Sequence, residues 1–449
     1  MASNLLRALG LVSAIAIIPA ATAAFASAEA DSMREFDEFM NVFNRVRADY
    51  VEKVDDKTLL RGAIDGMLAS LDPHSSYLDE KGYESLMTTT EGEYGGLGLN
   101  VTLEDGAVKV VAPIEDSPGF KAGLKAGDYI THLNGKLIYG GTLDEAVDQM
   151  RGPAGTTIKI TVVRPGRDKP FDVTLTRAII ELPAVKWEVK DRVGIINVNN
   201  FSRTTTQETL AAIAAIDKSL GAPPLGYIVD LRSNPGGLLD QAVGLSDVFL
   251  ERGEVVSQRG RQKNDIERYY AEPGDSARGL PIVVLVDAGS ASAAEIVAAA
   301  LQEHHRAVVM GERTFGKGSV QTLLPLSKDT ALRLTTARYY TPSGRSVQEG
   351  GITPDIEVPQ LSDPDYKSRP RLREADLRRH LINEAKVEDS VVQDDGKPDP
   401  RFTATAEELK KKGIEDYQLH YAVQTIARLG RTATAAAAPA AGGSKAGTR

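Results

Sequence analysis

The residues best suited to chemistry lie in "DAGSASAAEIVAAALQEHHRAVVMGERTFGKGSVQ", from Asp287 to Gln321. Two serines, Ser290 and Ser292, occupy a small-residue turn, and Lys317 follows between Gly316 and Gly318. A serine hydroxyl attacks a carbonyl only when a neighbouring base takes its proton. His304 and His305 are bases by type, but they follow Ser292 by a full predicted helix. At 1.5 Å per residue that separation is about 18 Å, outside hydrogen-bond reach. They read instead as surface groups at a helix C-terminus, where positive charge is favoured. His74, His132, His380 and His420 are scattered, and nothing in their spacing links them to the turn.

Lys317 is the remaining candidate. An ordinary lysine has a pKa of about 10.4 and carries no free electron pair at neutral pH. Desolvation lowers that value by several units, and flanking glycines let the backbone approach another segment closely. Gln321, four residues on, falls on the same side of a helix or a strand and could orient the amine. The plainer alternatives are a helix-capping serine and a lysine in an exposed glycine loop.

The elements that must position these residues are legible as strand–turn–helix units. "LPIVVLVDAGSASAAEIVAAALQEH" and "LGYIVDLRSNPGGLLDQAVGLSDVFL" each run from an apolar β-branched stretch through a small-residue turn into a helix. The first predicts a strand ending near Asp287 and a helix beginning at about Ala293. Such repetition predicts an α/β core over residues 178–360, with sites at the carboxyl ends of its strands. A serine at that turn sits beside free N–H groups and a positive helix end, which suits an oxyanion.

Around the core, amphipathic helices are predicted from Phe36, Phe39, Met40 and Phe43, and from Ile64, Met67, Leu68 and Leu71, within 29–90. Asp72-Pro73 should stop the second. Residues 91–177 read as short strands, glycine turns and one helix over Thr142–Met150. A C-terminal helical region, 361–430, holds a lysine triplet closed by Gly413 and a last helix carrying Leu419, Ala422, Val423 and Ile426, which Gly430 should end. Residues 431–449 are low in complexity and expected to be disordered.

The chain has 449 residues, 42% hydrophobic and 26% charged, enough for two or three domains. A net charge of -9 and a pI near 5.4 argue against a nucleic-acid partner. The absence of cysteine rules out thiolate chemistry. Residues 1–28 combine Arg7, an apolar run and small residues with two A-x-A sites, the pattern of a cleaved secretory signal. The alternative, an uncleaved anchor, is disfavoured by its length and by Pro19. An exported, periplasmic location is therefore expected.

"SASAAEIVAAALQ" and "GERTFGKGSVQ", with "DLRSNPGG" before them and "RYYTPSGRSVQEGGITPDIEVP" after, resemble the carboxy-terminal processing (tail-specific) proteases of peptidase family S41. The resemblance spans roughly residues 33–360 with the motifs in the family's order. It implies Ser292 as nucleophile, Lys317 as base and Gln321 as its support. It also implies an oxyanion hole from the N–H of Gly236 or Gly237 together with that of Ala293. Ala294 stands where the family usually has a third serine, which is not the nucleophile. The implied fold is α/β, a crotonase/ClpP-like protease core with an inserted PDZ domain and helical segments at both ends. No metal or cofactor is implied.

Residues 94–177, with "GGLGL" and "SPGFKAGLKAGDYITHLNGK", resemble a bacterial PDZ domain. The spacing lacks G-x-G-x-x-G, so a phosphate loop is a poor reading. In the PDZ reading the N–H groups of Gly96, Leu97 and Gly98 hold a terminal carboxylate. Leu97, Leu99, Leu143 and Val147 form the side-chain pocket. The expectation is an exported serine endopeptidase acting on protein C-termini, with the terminal helices building a homodimer or higher oligomer and with room for an adaptor protein. The rival readings are a catalytically idle PDZ scaffold and an acyl-CoA enzyme on the same core.

Overall fold

The computed structural model describes residues 33–366, 368–384 and 401–437; the leader expected over 1–28 and the tail from 438 onward lie outside the described residues. The chain divides into two units, Met1–Leu71 and Asp72–Arg449. In the first unit a helix covers 33–49, and a second, Asp56–Ala69, starts at Asp55, whose side chain accepts from Thr58 N–H. Met33, Phe36, Phe39, Leu60 and Met67 on these helices are exposed.

The second unit is built on a six-stranded sheet in the order Val185–Lys190, Val193–Val198, Tyr227–Asp230, Ile282–Val286, Val308–Gly311 and Ile356–Glu357. The first pair is antiparallel and the rest run parallel. Alternate side chains of the central strands go to opposite faces, as a strand's period of two requires. Ile196, Val229, Val284 and Val286 pack against the helices Thr205–Leu220, Leu239–Asp247 and Ala293–Glu303. Ile195, Ile228, Val283 and Leu285 meet Ala422, Val423 and Ile426 of the last helix. Both faces are thus covered, which explains strands of nearly continuous apolar sequence.

A second, five-stranded sheet runs Ser76–Leu78, Ala331–Tyr340, Gly253–Arg259, Ile266–Ala271, with Ser319–Pro325 also paired to Ala331–Tyr340. The register sets Gln321 opposite Thr335. The segment expected to be a PDZ domain has its own sheet, ordered Leu99–Glu104, Ala107–Pro113, Tyr129–Leu133, Thr157–Val163, Phe171–Thr176, around a core of Val110, Ile130, Ile160 and Val162. Its entry and exit strands, Glu93–Gly96 and Ala178–Glu181, pair antiparallel with each other, which marks it as an insertion.

Two differences from the sequence expectations have clear causes. Glu80–Glu91 is a helix, with Asp79 accepting from Gly82 N–H and Gly92 closing it at φ 77°. The last helix, Tyr417–Ala437, does not end at Gly430. A Cβ there would lie 2.5 Å from Leu225 O, so this glycine allows close packing rather than termination. Among the described residues, no helix is long and apolar enough to cross a membrane.

Candidate active site

Strand Ile282–Val286 is buried throughout and delivers the chain into the turn Asp287–Ser292. The turn is tied to the loop after strand Tyr227–Asp230. Asp287 Oδ1 accepts from Ser233 N (2.7 Å) and Gly289 N (2.9 Å), and Ala291 N donates to Asn234 O (2.9 Å). Ser290 Oγ donates to Leu231 O (2.8 Å) and accepts from Asp287 N (2.9 Å). Ser290 is fully buried and its hydroxyl is committed to this tie. Ser292 sits at the start of helix Ala293–Glu303 with φ 55° and ψ −114°. A positive φ at a residue with a Cβ costs on the order of 1–2 kcal/mol and persists only where the surroundings enforce it.

The enforcing group is Glu295. Its carboxylate is fully buried and accepts from Ser292 N (2.8 Å), Gly316 N (2.7 Å), Lys317 N (2.9 Å) and Thr314 Oγ1 (2.5 Å). One side chain therefore ties the serine turn to the lysine loop. Burial pushes its carboxyl up to about 7, against hydrogen bonds that all favour the ionised form. Tyr339 adds a second tie: its hydroxyl lies within hydrogen-bond reach of Ser292 O (3.2 Å) and of Lys317 O. Sequence reasoning missed both residues. The spacing Ser292-Ala-Ala-Glu295 is a capping-box pattern and would have singled out the glutamate.

The Lys317 amine donates to Gln321 Oε1, and no hydrogen bond joins it to Ser292 Oγ in this conformation. Gln321 Nε2 donates to Ser319 Oγ (3.0 Å) and Thr335 Oγ1 (3.2 Å), which fixes the amide so that its oxygen faces the amine. Thr335 Oγ1 in turn donates to Asp72 Oδ1 (3.1 Å). Burial raises the Asp72 carboxyl, but donors from Ser75, His74 and Thr335 outweigh it and hold it below the usual range. Burial also pulls the Lys317 amine down to about 8. The carboxylates of Glu374, Glu295 and Asp72 work against that fall, and the Arg333 guanidinium adds to it.

Gly236 faces Ser292. A Cβ on it would lie 2.8 Å from Ser292 Cβ and 3.0 Å from Ala293 N, and its φ is 98°. Its N–H donates to Asn234 Oδ1 (2.8 Å), a partner that competes with any oxyanion. Gly237 is held by a bridge to Phe201. Asp230 pairs with Arg232 (2.6 Å), which also pairs with Asp416 (2.7 Å) beside the last helix. Of the histidines, His304 caps helix Ala293–Glu303 and bonds to Glu254 O (2.7 Å), far from the turn in sequence and committed elsewhere.

In the inserted module, strand Leu99–Glu104 is a sheet edge. Gly96 ends the entry strand, and Gly98 sits at φ 66°. Leu97 is 3% exposed and belongs to the core, while Leu99, Leu143 and Val147 pack partly buried against it.

A family model described as peptidase family S41 matches residues 192–358, and a PDZ-domain model matches 109–164. One described as the N-terminal domain of the activating protease CtpB matches 17–82. A carboxy-terminal-processing protease of Bartonella bacilliformis is 51% identical over 355 residues, 79% of this chain and 82% of that one. Carboxy-terminal processing protease CtpA of Bacillus subtilis is 39% identical over 340 residues, 75% of this chain and 71% of that one. Among solved structures, a photosystem II D1 C-terminal processing protease is 28% identical, with a TM-score of 0.41 over 76% of this chain and 92% of that one. With a serine turn and a lysine loop joined through one buried carboxylate, and relatives matched over most of their length, the chain belongs to the carboxy-terminal processing proteases, serine-type peptidases of family S41 that carry a PDZ domain.

Proposed function

We propose that this protease is exported, takes hold of protein C-termini through its PDZ module, and hydrolyses peptide bonds with Ser292 and Lys317. Ser292 Oγ attacks the scissile carbonyl carbon as Lys317 Nζ takes its proton. The oxygen that becomes negative is held by the N–H of Ala293 and by that of Gly237, or of Gly236 once Asn234 releases it. Lys317 then gives the proton to the departing amine, and a water molecule repeats the sequence on the acyl-enzyme. Gln321 orients the amine between these transfers. The observation that carries the reading is the buried Glu295 carboxylate, which accepts from both Ser292 N–H and Lys317 N–H and so ties the serine turn to the lysine loop; the fall of the Lys317 amine to about 8 supports it. A fall from 10.5 to about 8 raises the neutral fraction at pH 7 from about one in three thousand to about one in ten.

A substrate tail would add as a strand to the free edge Leu99–Glu104, with its carboxylate at Gly96, Leu97 and Gly98 and its side chain at Leu99, Leu143 and Val147. The exposed apolar residues of the N-terminal helices support a homodimer, and sedimentation showing only monomer at working concentration would reject it. The leader over 1–28 supports export, which N-terminal sequencing of the mature protein would check. Casein or a tail-tagged reporter, incubated with wild type, Ser292→Ala and Lys317→Ala, tests the chemistry. Cleavage by wild type alone is expected, with kcat/KM rising tenfold per pH unit below about 8. Equal cleavage by all three removes the dyad, and tail binding without any cleavage returns the idle-scaffold reading.

A further inference from the structure

The segment Arg373–Asn383 lies beyond the residues matched by the protease-family model, which end at 358, yet it grips the loop that carries the lysine. Glu374 N donates to Phe315 O (3.1 Å), immediately before Gly316. The Glu374 side chain is fully buried. Its Oε1 accepts from Gln348 Nε2 (3.0 Å), and His74 Nε2 lies 2.8 Å from its Oε2. Gln348 Oε1 accepts from Gly318 N (2.9 Å), so an unbroken path runs from the Glu374 carboxylate to the far side of Lys317. Farther along, Asn383 Nδ2 donates to Gln348 O (2.8 Å) and Asn383 N to Glu349 Oε2 (2.8 Å). Glu349 N donates to Gly316 O (2.9 Å). Both flanks of Lys317 are thereby held by one segment.

We propose that Glu374 is a positioning residue for the general base: through Gln348 it fixes the Gly318 side of the lysine loop, and through its own backbone N–H it fixes the Phe315 side. The idea rests on the reading of Lys317 as the base. The charged groups facing that amine are Glu374, Arg333, Glu295 and Asp72, and Glu374 is the strongest of the three that favour its protonated form. Arg333 opposes them and is itself anchored on His74 O (3.2 Å), so the two opposing charges share one neighbour. A carboxylate serving only to staple the C-terminal segment would affect melting and leave the protonation of the amine alone.

The test follows kcat and KM against pH, with melting recorded alongside, on the full chain and a fluorogenic peptide too short to reach the PDZ groove. Glu374→Gln removes the negative charge, so the amine loses its proton more readily. The acid limb should move to lower pH by about 1 unit, with the plateau kcat down about tenfold and KM unchanged. Glu374→Asp keeps the charge but shortens the reach, so it should lower kcat and leave the limb in place. Arg333→Gln should move the limb the other way. A folded Glu374→Gln variant with the wild-type limb and kcat overturns the proposal. Should that variant not fold, wild-type kcat in Glu374→Asp together with an unmoved limb in Arg333→Gln overturns it instead. Lys317→Ala separates the two failures: if it stays active, the reading of the base fails; if it is dead while Glu374→Gln is indistinguishable from wild type, only the positioning role fails.

Discussion

Replacing Lys317 by methionine should abolish cleavage and stabilise the fold. In the unfolded chain the amine titrates near 10.5; in the native site burial holds it at about 8. Folding at neutral pH must therefore either strip the proton or bury the charge. A lowered lysine pKa costs stability in full below the folded value, and the cost fades as pH climbs to the unfolded value. The difference of about 2.5 units corresponds to about 3 kcal/mol at pH 7. Methionine has a similar length and no charge, so it escapes that cost. It also strips Gln321 Oε1 of its donor, a loss of about 1–2 kcal/mol. The net expectation is a variant more stable than wild type by about 1–2 kcal/mol at pH 7.

The dependence on pH is the sharper part of this prediction. Between pH 7 and pH 9.5 the wild-type penalty should shrink by about 2 kcal/mol, because an increasing share of unfolded chains also lose the proton. The advantage of the methionine variant should then vanish or reverse. Urea titrations at both pH values, followed by the emission of Trp187, measure this directly, since that single tryptophan lies on a strand of the protease sheet. Ser292→Ala is the control and should keep the wild-type pH response. A Lys317→Met variant whose stability relative to wild type does not change with pH would show that the amine is not desolvated, and the reasoning would fall.

Three further outcomes follow from the same geometry. Glu295→Gln turns an amide N–H₂ toward backbone donors that now meet a carboxylate, so kcat should drop by about 10²-fold or more with substrate binding little changed, as peptide kinetics would show. Gly236→Ala forces a Cβ to within 2.8 Å of Ser292 Cβ at a φ of 98°, and should cost a similar factor in kcat while leaving PDZ binding of a tail peptide intact. Arg232→Met leaves Asp230 and Asp416 facing each other without their shared cation, and should destabilise the chain by about 3 kcal/mol in urea titrations.

Which of these residues could be read from the sequence follows from how far away their partners lie. The strand Ile282–Val286 and the helix Ala293–Glu303 declare themselves because their causes are local: five apolar residues in a row, then small residues, then good helix formers. The helix from Thr142 is legible for the same reason, with its capping threonine and Glu145 three residues on. Type and spacing bring forward Ser290, Ser292, Lys317 and Gln321 as candidates, and only the family resemblance chooses between the two serines. Gly430 misleads because a glycine ends a helix through local conformation but also admits a close neighbour, and only the folded chain shows Leu225 against it. Glu295 is half legible: its bond to Ser292 N–H spans three residues, whereas those to Gly316 and Lys317 span more than twenty and depend on how two strands deliver their loops.

The remaining groups around the amine had no local signature at all. Asp72 reads from the sequence as a helix stop, and nothing in "LDPHSS" announces that it will pair with Thr335, 263 residues on. His74 and Glu374 are 300 residues apart. The difference has a physical origin. A residue's propensity to cap, turn or alternate is a local free energy, available before the chain folds. The protonation state of Lys317 is fixed by burial and by charges arriving from Asp72, Arg333 and Glu374, none of them within fifteen residues of it. A sequence can therefore bring Lys317 forward as a candidate, but the surroundings that lower its pKa belong to the assembled fold, and a substitution as distant as Glu374→Gln should change them.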